Sequence, residues 1–184
     1  MDTNETLHPL AGAAGEIRKR RYRLDTRRGY ISLLENLLLM IAVILIAFNF
    51  VFFIATARGT NMYPAVLDGD IVFGYRLDHD YVKDDVVVCM VDGRQLIARV
   101  AAKGGDSVNI TEEGLLYVNG TLQTGEIAFP TMPGKQEYPY TVPQGCLYLL
   151  GDYRTRTYDS RDCGAVDEAD VIAKVVCIFR RRGI

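Results

Sequence analysis

Histidine is scarce in this chain of 184 residues, with only His8 and His79 present. Neither has metal-ligating companions nearby, so no histidine-based metal centre is expected. The four cysteines, Cys89, Cys146, Cys163 and Cys177, follow the spacing of neither a zinc site nor a small disulfide scaffold. Cys89 and Cys177 lie in apolar, strand-like runs and read as buried thiols; Cys146 and Cys163 are the pair to bridge if any does. An excess of one charge is missing too: 21 Lys and Arg stand against 23 Asp and Glu, a net charge of −2. Nothing in that total calls for nucleic acid as a partner. There is no internal repeat, and no cofactor is expected.

Charge is also absent from one long stretch. From Asn36 to Ala57 there is no Asp, Glu, Lys or Arg, and Leu, Ile, Val, Phe, Met and Ala fill most positions. A helix over these residues spans roughly 33 Å at 1.5 Å per residue, about the thickness of a hydrocarbon core. A buried core helix of this length needs a polar face, and only Asn36, Asn49 and Thr56 supply one. The run is longer and begins later than a cleavable signal sequence, so it reads as an uncleaved membrane anchor. Upstream, Arg18, Lys19, Arg20, Arg21, Arg23, Arg27 and Arg28 crowd together with only Asp25 opposing them. Lys and Arg mark the cytoplasmic flank of a span and also attract anionic head groups. The expectation is a single-pass protein of the cell membrane in three parts. Residues 1–30 form a basic cytoplasmic tail, its first fifteen residues unstructured; 31–57 form a transmembrane helix; 58–184 form an extracytoplasmic domain. Membrane lipid is one partner.

That domain reads as β-structure. Residues 70–74, 85–91, 95–102, 107–110, 115–118 and 146–150 are short runs rich in β-branched and aromatic residues, punctuated by Gly, Asp, Asn and Pro. Val171 to Phe179 makes a longer final strand, and Asn119-Gly120 marks a two-residue hairpin turn. Many short strands at close spacing favour a mainly antiparallel β barrel or sandwich over an α/β fold. Residues 125–144, with Pro130, Pro133, Pro139 and Pro143, read as a loop.

Several segments carry more specific information. Gly59-Thr60-Asn61-Met62-Tyr63-Pro64 follows the apolar run and precedes Gly69-Asp70-Ile71-Val72. Lys83-Asp84-Asp85-Val86-Val87-Val88 comes next, then Ala98-Arg99-Val100 with Gly105-Asp106 beyond it, then Tyr117-Val118-Asn119-Gly120. The last block runs Gly151-Asp152-Tyr153-Arg154-Thr155-Arg156-Thr157-Tyr158-Asp159-Ser160-Arg161-Asp162-Cys163-Gly164. In order and spacing these segments resemble type I signal peptidases, whose patterns read G-x-S-M-x-P, G-D-x-V, K-R-V-x-x-x-x-G-D-x-V and G-D-N-R-x-x-S-x-D-S-R-x-x-G. The resemblance covers nearly all of residues 30–179.

The resemblance implies a membrane-tethered antiparallel β domain in which a serine attacks the peptide carbonyl and a neutral lysine is the general base. Here Asn61 stands at the serine position and Ala98 at the lysine position. A hydroxyl nucleophile needs an adjacent base. An amide nitrogen is no substitute for an alkoxide, and alanine accepts no proton. In serine-type hydrolysis the loss of either partner alone costs on the order of a million-fold. Thr60, one residue away, would face the opposite side of an extended strand; Lys103, five beyond Ala98, reads as a solvated turn residue. Thr157 keeps a hydroxyl at the position that contacts the catalytic lysine. Asp159 and Arg161 match the family's acid–base pair and, with Asp152, Arg154 and Ser160, read as structural. Gly59, Thr60, Met62, Tyr63 and Thr157 are candidates for lining the cleft, with Met62 equally at home in the core. Gly59 and the amide of residue 61 are candidate oxyanion donors.

Three functions follow. The first is a non-catalytic homologue that binds extended segments in the old cleft. It resembles the inactive Gram-positive members that assist sortase-built pili, which makes exported or pilin-type segments and the sortase machinery the expected partners. The second is an active signal peptidase with another nucleophile, and the third a purely structural tethered domain.

Overall fold

The structure, a computed structural model, describes residues 7–124, 127, 129–155 and 157–180. The chain divides into two compact units at the Phe48–Asn49 boundary. The first is dominated by α1 (Leu7–Val51), 45 residues long. Its segment Thr26–Val51 contains an 18-residue stretch with a mean hydropathy of 2.5 that is not buried, and is long and apolar enough to cross a membrane. Two expectations need correction here. The helix begins at Leu7 rather than after an unstructured stretch, because Ala, Leu, Glu, Lys and Arg are strong helix formers and extend the apolar helix upstream. It also ends at Val51, not Ala57. Phe52–Thr56, Phe-Phe-Ile-Ala-Thr, is instead the first strand, since β-branched and aromatic residues favour the pleated ladder that a neighbouring strand offers them.

The second unit is built from antiparallel strands: β1 (Phe52–Thr56), β2 (Ile71–Tyr75), β3 (Val86–Val91), β4 (Arg94–Lys103), β5 (Ser107–Ile110), β6 (Leu116–Val118), β7 (Thr121–Leu122), β8 (Tyr140–Thr141), β9 (Cys146–Leu150), β10 (Val166–Asp167) and β11 (Val171–Phe179). A short α2 (Ser160–Cys163) follows β9. One sheet has the order β1-β2-β11-β3-β4-β9-β10, the other β7-β6-β5-β8. The mainly β architecture read from the sequence therefore holds. The Asn119-Gly120 turn between β6 and β7 has φ of 52° and 75°, the positive values that a two-residue hairpin of this type requires. β8 lies within the expected loop over 125–144, because Tyr140 and Thr141 pair with Val108 and Ser107 of β5. Residues 125, 126 and 128 of that loop lie outside the described residues.

Alternation along the strands sorts side chains between faces. Val87, Leu96, Ala98, Val100, Leu147 and Leu149 pack in one core, and Ala57, Met62, Val66, Val72 and Val88 in another, with Ile97 against it. A third core, around Val108, Tyr148 and Leu150, joins the small sheet to the large one. On β1, β2 and β11 the opposite face is also apolar. Register puts Phe52, Ile54, Ile71, Phe73, Tyr75, Cys177 and Phe179 on one side. Phe52 stacks on Phe73 at 5.2 Å, while Ile54, Ile71 and Phe179 are 58%, 44% and 59% exposed. All four cysteines are free thiols. Cys89 is buried as expected, but Cys177 is exposed: the register shift between Val175 and Cys177 turns it onto this outer face.

Candidate functional site

The segment between β1 and β2 is a tight turn pinned by two carboxylates. Asp68 Oδ1 accepts the Gly59 amide at 2.7 Å, and Asp70 Oδ2 accepts the Leu67 amide at 2.9 Å. Gly59 has a φ of +83°, the region that glycine enters without a steric penalty. Tyr63 N–H donates to Thr60 O, and Val66 N–H to Met62 O. Residues 60 and 61 are therefore not neighbours on an extended strand, and the alternation argument does not place Thr60; it sits exposed on the turn. With its N–H held by Asp68, Gly59 has no amide left for an oxyanion.

Beside this turn lies a cleft of about 510 Å³. Gly59, Asn61 and Met62 line it; Thr60, Tyr63, Ala98 and Thr157 are not among its lining residues. Met62 is also 3% exposed and part of the core, so it fills both candidate roles. Tyr63 instead meets Tyr153 edge-on at 5.9 Å. Sequence reasoning missed the opposing walls, Ala55 to Arg58 on one side and Arg94, Gln95 and Ile97 on the other. The one available signal was that these residues flank the nucleophile and base positions.

Both walls are open strand edges. In an antiparallel ladder a residue sends its N–H and C=O to one neighbour, and the next residue sends them to the other side. Val100 N–H bonds Asp85 O on the β3 side at 2.8 Å, so the backbone groups of Gln95, Ile97 and Arg99 face away from β3. Arg99 pairs with Leu150 of β9; among the described residues Gln95 and Ile97 have no strand beside them on that side. On β1, Ala57 N–H bonds Asp70 O at 2.7 Å and Val51 O accepts from Arg76 N–H at 2.9 Å. Ile54 and Thr56 therefore face outward as well, and β1 is the outermost strand of its sheet.

Asn61 and Ala98 both lie close to Gly151 at the back of the cleft. Ala98, fully buried, pairs with Val87, and continuing the Arg99–Leu150 register sets it across from Gly151. A Cβ on Gly151 would come within 2.5 Å of Thr157 Cγ2 and 2.7 Å of the Asn61 carbonyl oxygen. Asn61 O also accepts the Tyr153 amide at 2.9 Å. Asn61, Ala98 and Thr157 thus converge on one glycine. Lys103, at the far end of β4, is exposed, and its amide bonds Asp106; it is no replacement base.

The polar residues of the last motif form a buried network. Arg161 makes a two-point bond to Asp159, Nε to Oδ1 at 2.8 Å and Nη2 to Oδ2 at 2.9 Å. Arg161 Nη1 donates to Arg154 O and Met132 O. Asp159 Oδ2 also accepts the Gly151 amide, and Ser160 Oγ accepts the Leu149 amide. Thr157 Oγ1 donates to Asp159 Oδ2 at 2.7 Å and accepts from Arg161 Nη2 at 2.7 Å, so its hydroxyl is fully used. Asp152 holds Arg99 by two bonds, at 2.8 and 2.7 Å. Arg154 turns to a second cavity of about 470 Å³ and donates to Gly151 O and Thr131 Oγ1; burial, helped by the charge of Arg161, pulls its guanidinium down to about 10. Among the described residues no group of His, Cys, Asp and Glu is arranged to hold a metal ion.

Comparison with known proteins gives a consistent result. The family described as "Signal peptidase, peptidase S26" matches residues 30–180. Signal peptidase IB of Staphylococcus aureus is 28% identical, with 77% of this chain and 88% of that protein covered. Signal peptidase I of Bacillus caldolyticus is 26% identical, covering 68% and 78%. Thylakoidal processing peptidase 1 of Arabidopsis thaliana is 26% identical over 64% of this chain, which spans only 38% of its length. The crystal structure of a signal peptidase I from Enterococcus faecalis V583 is similar at 22% identity and a TM-score of 0.47, over 53% of this chain and 97% of that one.

Proposed function

Taking as its premise that the chain belongs to the signal peptidase S26 family, we propose that it is a membrane-tethered, non-catalytic member that holds extended segments of exported proteins in its cleft. The observation that carries this reading is a kept cleft beside an emptied dyad. Two open strand edges border about 510 Å³ of space, while Asn61 and Ala98 supply neither a nucleophile nor a base. A segment entering between Gln95–Ile97 and Ile54–Thr56 completes both ladders by main-chain hydrogen bonds, the strand-addition mode of peptide recognition. The apolar floor of Ala57, Met62, Val66 and Ile97 receives alternate side chains.

The partners that fit this mode are exported or pilin-type segments, handed on to sortase-type assembly at the cell surface. α1 tethers the domain, with the basic N-terminal side cytoplasmic by the distribution of Lys and Arg. The largely apolar outer face of β1, β2 and β11, with Lys174 opposite Tyr75 as its one charge among the paired residues, begins at the residue that follows α1 and suits contact with the lipid interface.

The test uses the full chain in detergent and a fluorescent extended segment taken from an exported preprotein. Binding without cleavage is expected. Gln95→Pro removes one outward N–H and leaves the β3 ladder intact, so it weakens binding about tenfold with an unchanged circular dichroism spectrum. Cleavage of the segment, or binding indifferent to this substitution, counts against the proposal.

A further inference from the structure

The cleft has a charge that its family membership does not explain. Arg58, at the end of β1, and Arg94, at the start of β4, stand on its two walls. Both are exposed, and among the described residues neither side chain makes a hydrogen bond or an ion pair. No Asp or Glu lines the cleft. The acids closest in sequence are already engaged: Asp68 accepts the Gly59 amide, and Asp92 accepts the Tyr158 hydroxyl at 2.6 Å. The arginines of the buried network are treated differently, since Arg99 and Arg161 each have a carboxylate. An arginine facing open space beside two free strand edges is a donor set without an acceptor. Its planar fork of N–H groups matches a carboxylate.

We propose that the cleft selects extended segments that carry acidic side chains on both sides of a short apolar stretch. The apolar side chains face Met62, Val66 and Ile97, and the flanking carboxylates meet Arg58 and Arg94. The inference rests on the peptide-binding reading of the cleft above and adds the chemistry of the ligand. An exposed arginine–carboxylate pair contributes little by itself, and two together amount to roughly a three- to tenfold preference. Being exposed, the pairs weaken with salt.

The experiment compares three fluorescein-labelled ten-residue peptides with the same apolar centre and Glu, Gln or Lys flanks. Binding to the full-length protein in nanodiscs of zwitterionic lipid is followed by fluorescence anisotropy, which keeps anionic head groups from competing for the arginines. The Glu peptide is expected to bind about three- to tenfold more tightly than the Gln peptide, with the Lys peptide weakest and the order compressed at high salt. In the Arg58→Glu, Arg94→Glu double variant, whose changes are exposed and leave the core intact, the order reverses. Equal binding of all three peptides overturns the acidic preference and leaves the peptide cleft standing. An unchanged order in the variant overturns it as well, by moving the selection elsewhere. If none of the peptides binds to protein that is folded by circular dichroism, the peptide-binding reading itself fails.

Discussion

The two halves of β4 have opposite fates. Arg99 to Lys103 is bolted to β9, and Arg99 is clamped by Asp152 and by the Asp84 carbonyl. Arg94 to Ile97 has β3 on one side only among the described residues and borders the cleft. The half that holds the domain together carries Arg99-Val100, and Ala98 lies next to it on the open half. The same division runs through the last motif, where Asp152, Asp159, Ser160 and Arg161 retain bonded roles. A residue that stabilises the fold is kept for that reason alone; a nucleophile or a base contributes only chemistry. Among the described residues no buried side-chain polar atom lacks a hydrogen-bond partner; the Thr157 hydroxyl is shared by Asp159 and Arg161.

The sharpest way to break this contrast is to attack the bolted side. Asp159→Ala strands the buried Arg161 guanidinium, and breaking such a pair costs about 3–5 kcal/mol; chemical denaturation should show a loss of that size or a failure to fold. Gly151→Ala comes next. Its Cβ would sit 2.5 Å from Thr157 Cγ2 and 2.7 Å from the Asn61 carbonyl, an overpacking expected to cost about 1–3 kcal/mol and to shift the Asn61 turn, weakening peptide binding in the same samples. Thr157→Val removes only the hydroxyl and should cost about 1–2 kcal/mol while leaving peptide affinity unchanged. A drop in affinity equal to that of Gly151→Ala would make Thr157 part of the cleft.

The thiols give the mildest test. Burial pushes Cys89 up to about 12 and Cys163 up to about 11. At pH 8 a thiol near 11 is only about one part in a thousand thiolate. Maleimide should therefore label exposed Cys177 first in detergent, with Cys89 and Cys163 far behind until the protein unfolds. A rise in pH through this range increases the reactive thiolate and narrows the gap. In nanodiscs, labelling of Cys177 should slow if the outer face of β1, β2 and β11 meets lipid.

Much of this architecture was legible in the sequence, because β-branched runs between Gly, Asn and Pro mark strands wherever the chain sits in the sheet. β2, β3, β4, β5, β6, β9 and β11 fall within a residue or two of their expected bounds. β1 was not legible: Phe52–Thr56 is as apolar as the helix before it, and only its pairing with β2 distinguishes the two. β7, β8 and β10 are two residues each, too short to show a period. Asn61 and Thr157 meet at Gly151, a contact that their spacing along the chain does not show. The arginines at 58 and 94 were invisible as a pair, since they are brought to one cleft by the curl of a sheet and not by spacing along the chain.

The central claim is that the cleft is intact and only its chemistry is gone. The direct measurement is cleavage of a signal-peptide-bearing preprotein in detergent by the natural chain and by its Asn61→Ser, Ala98→Lys double variant. The account predicts no product from the natural chain and product from the double variant, cut at the end of the signal peptide. Cleavage by the natural chain would contradict it and would require a nucleophile other than residue 61.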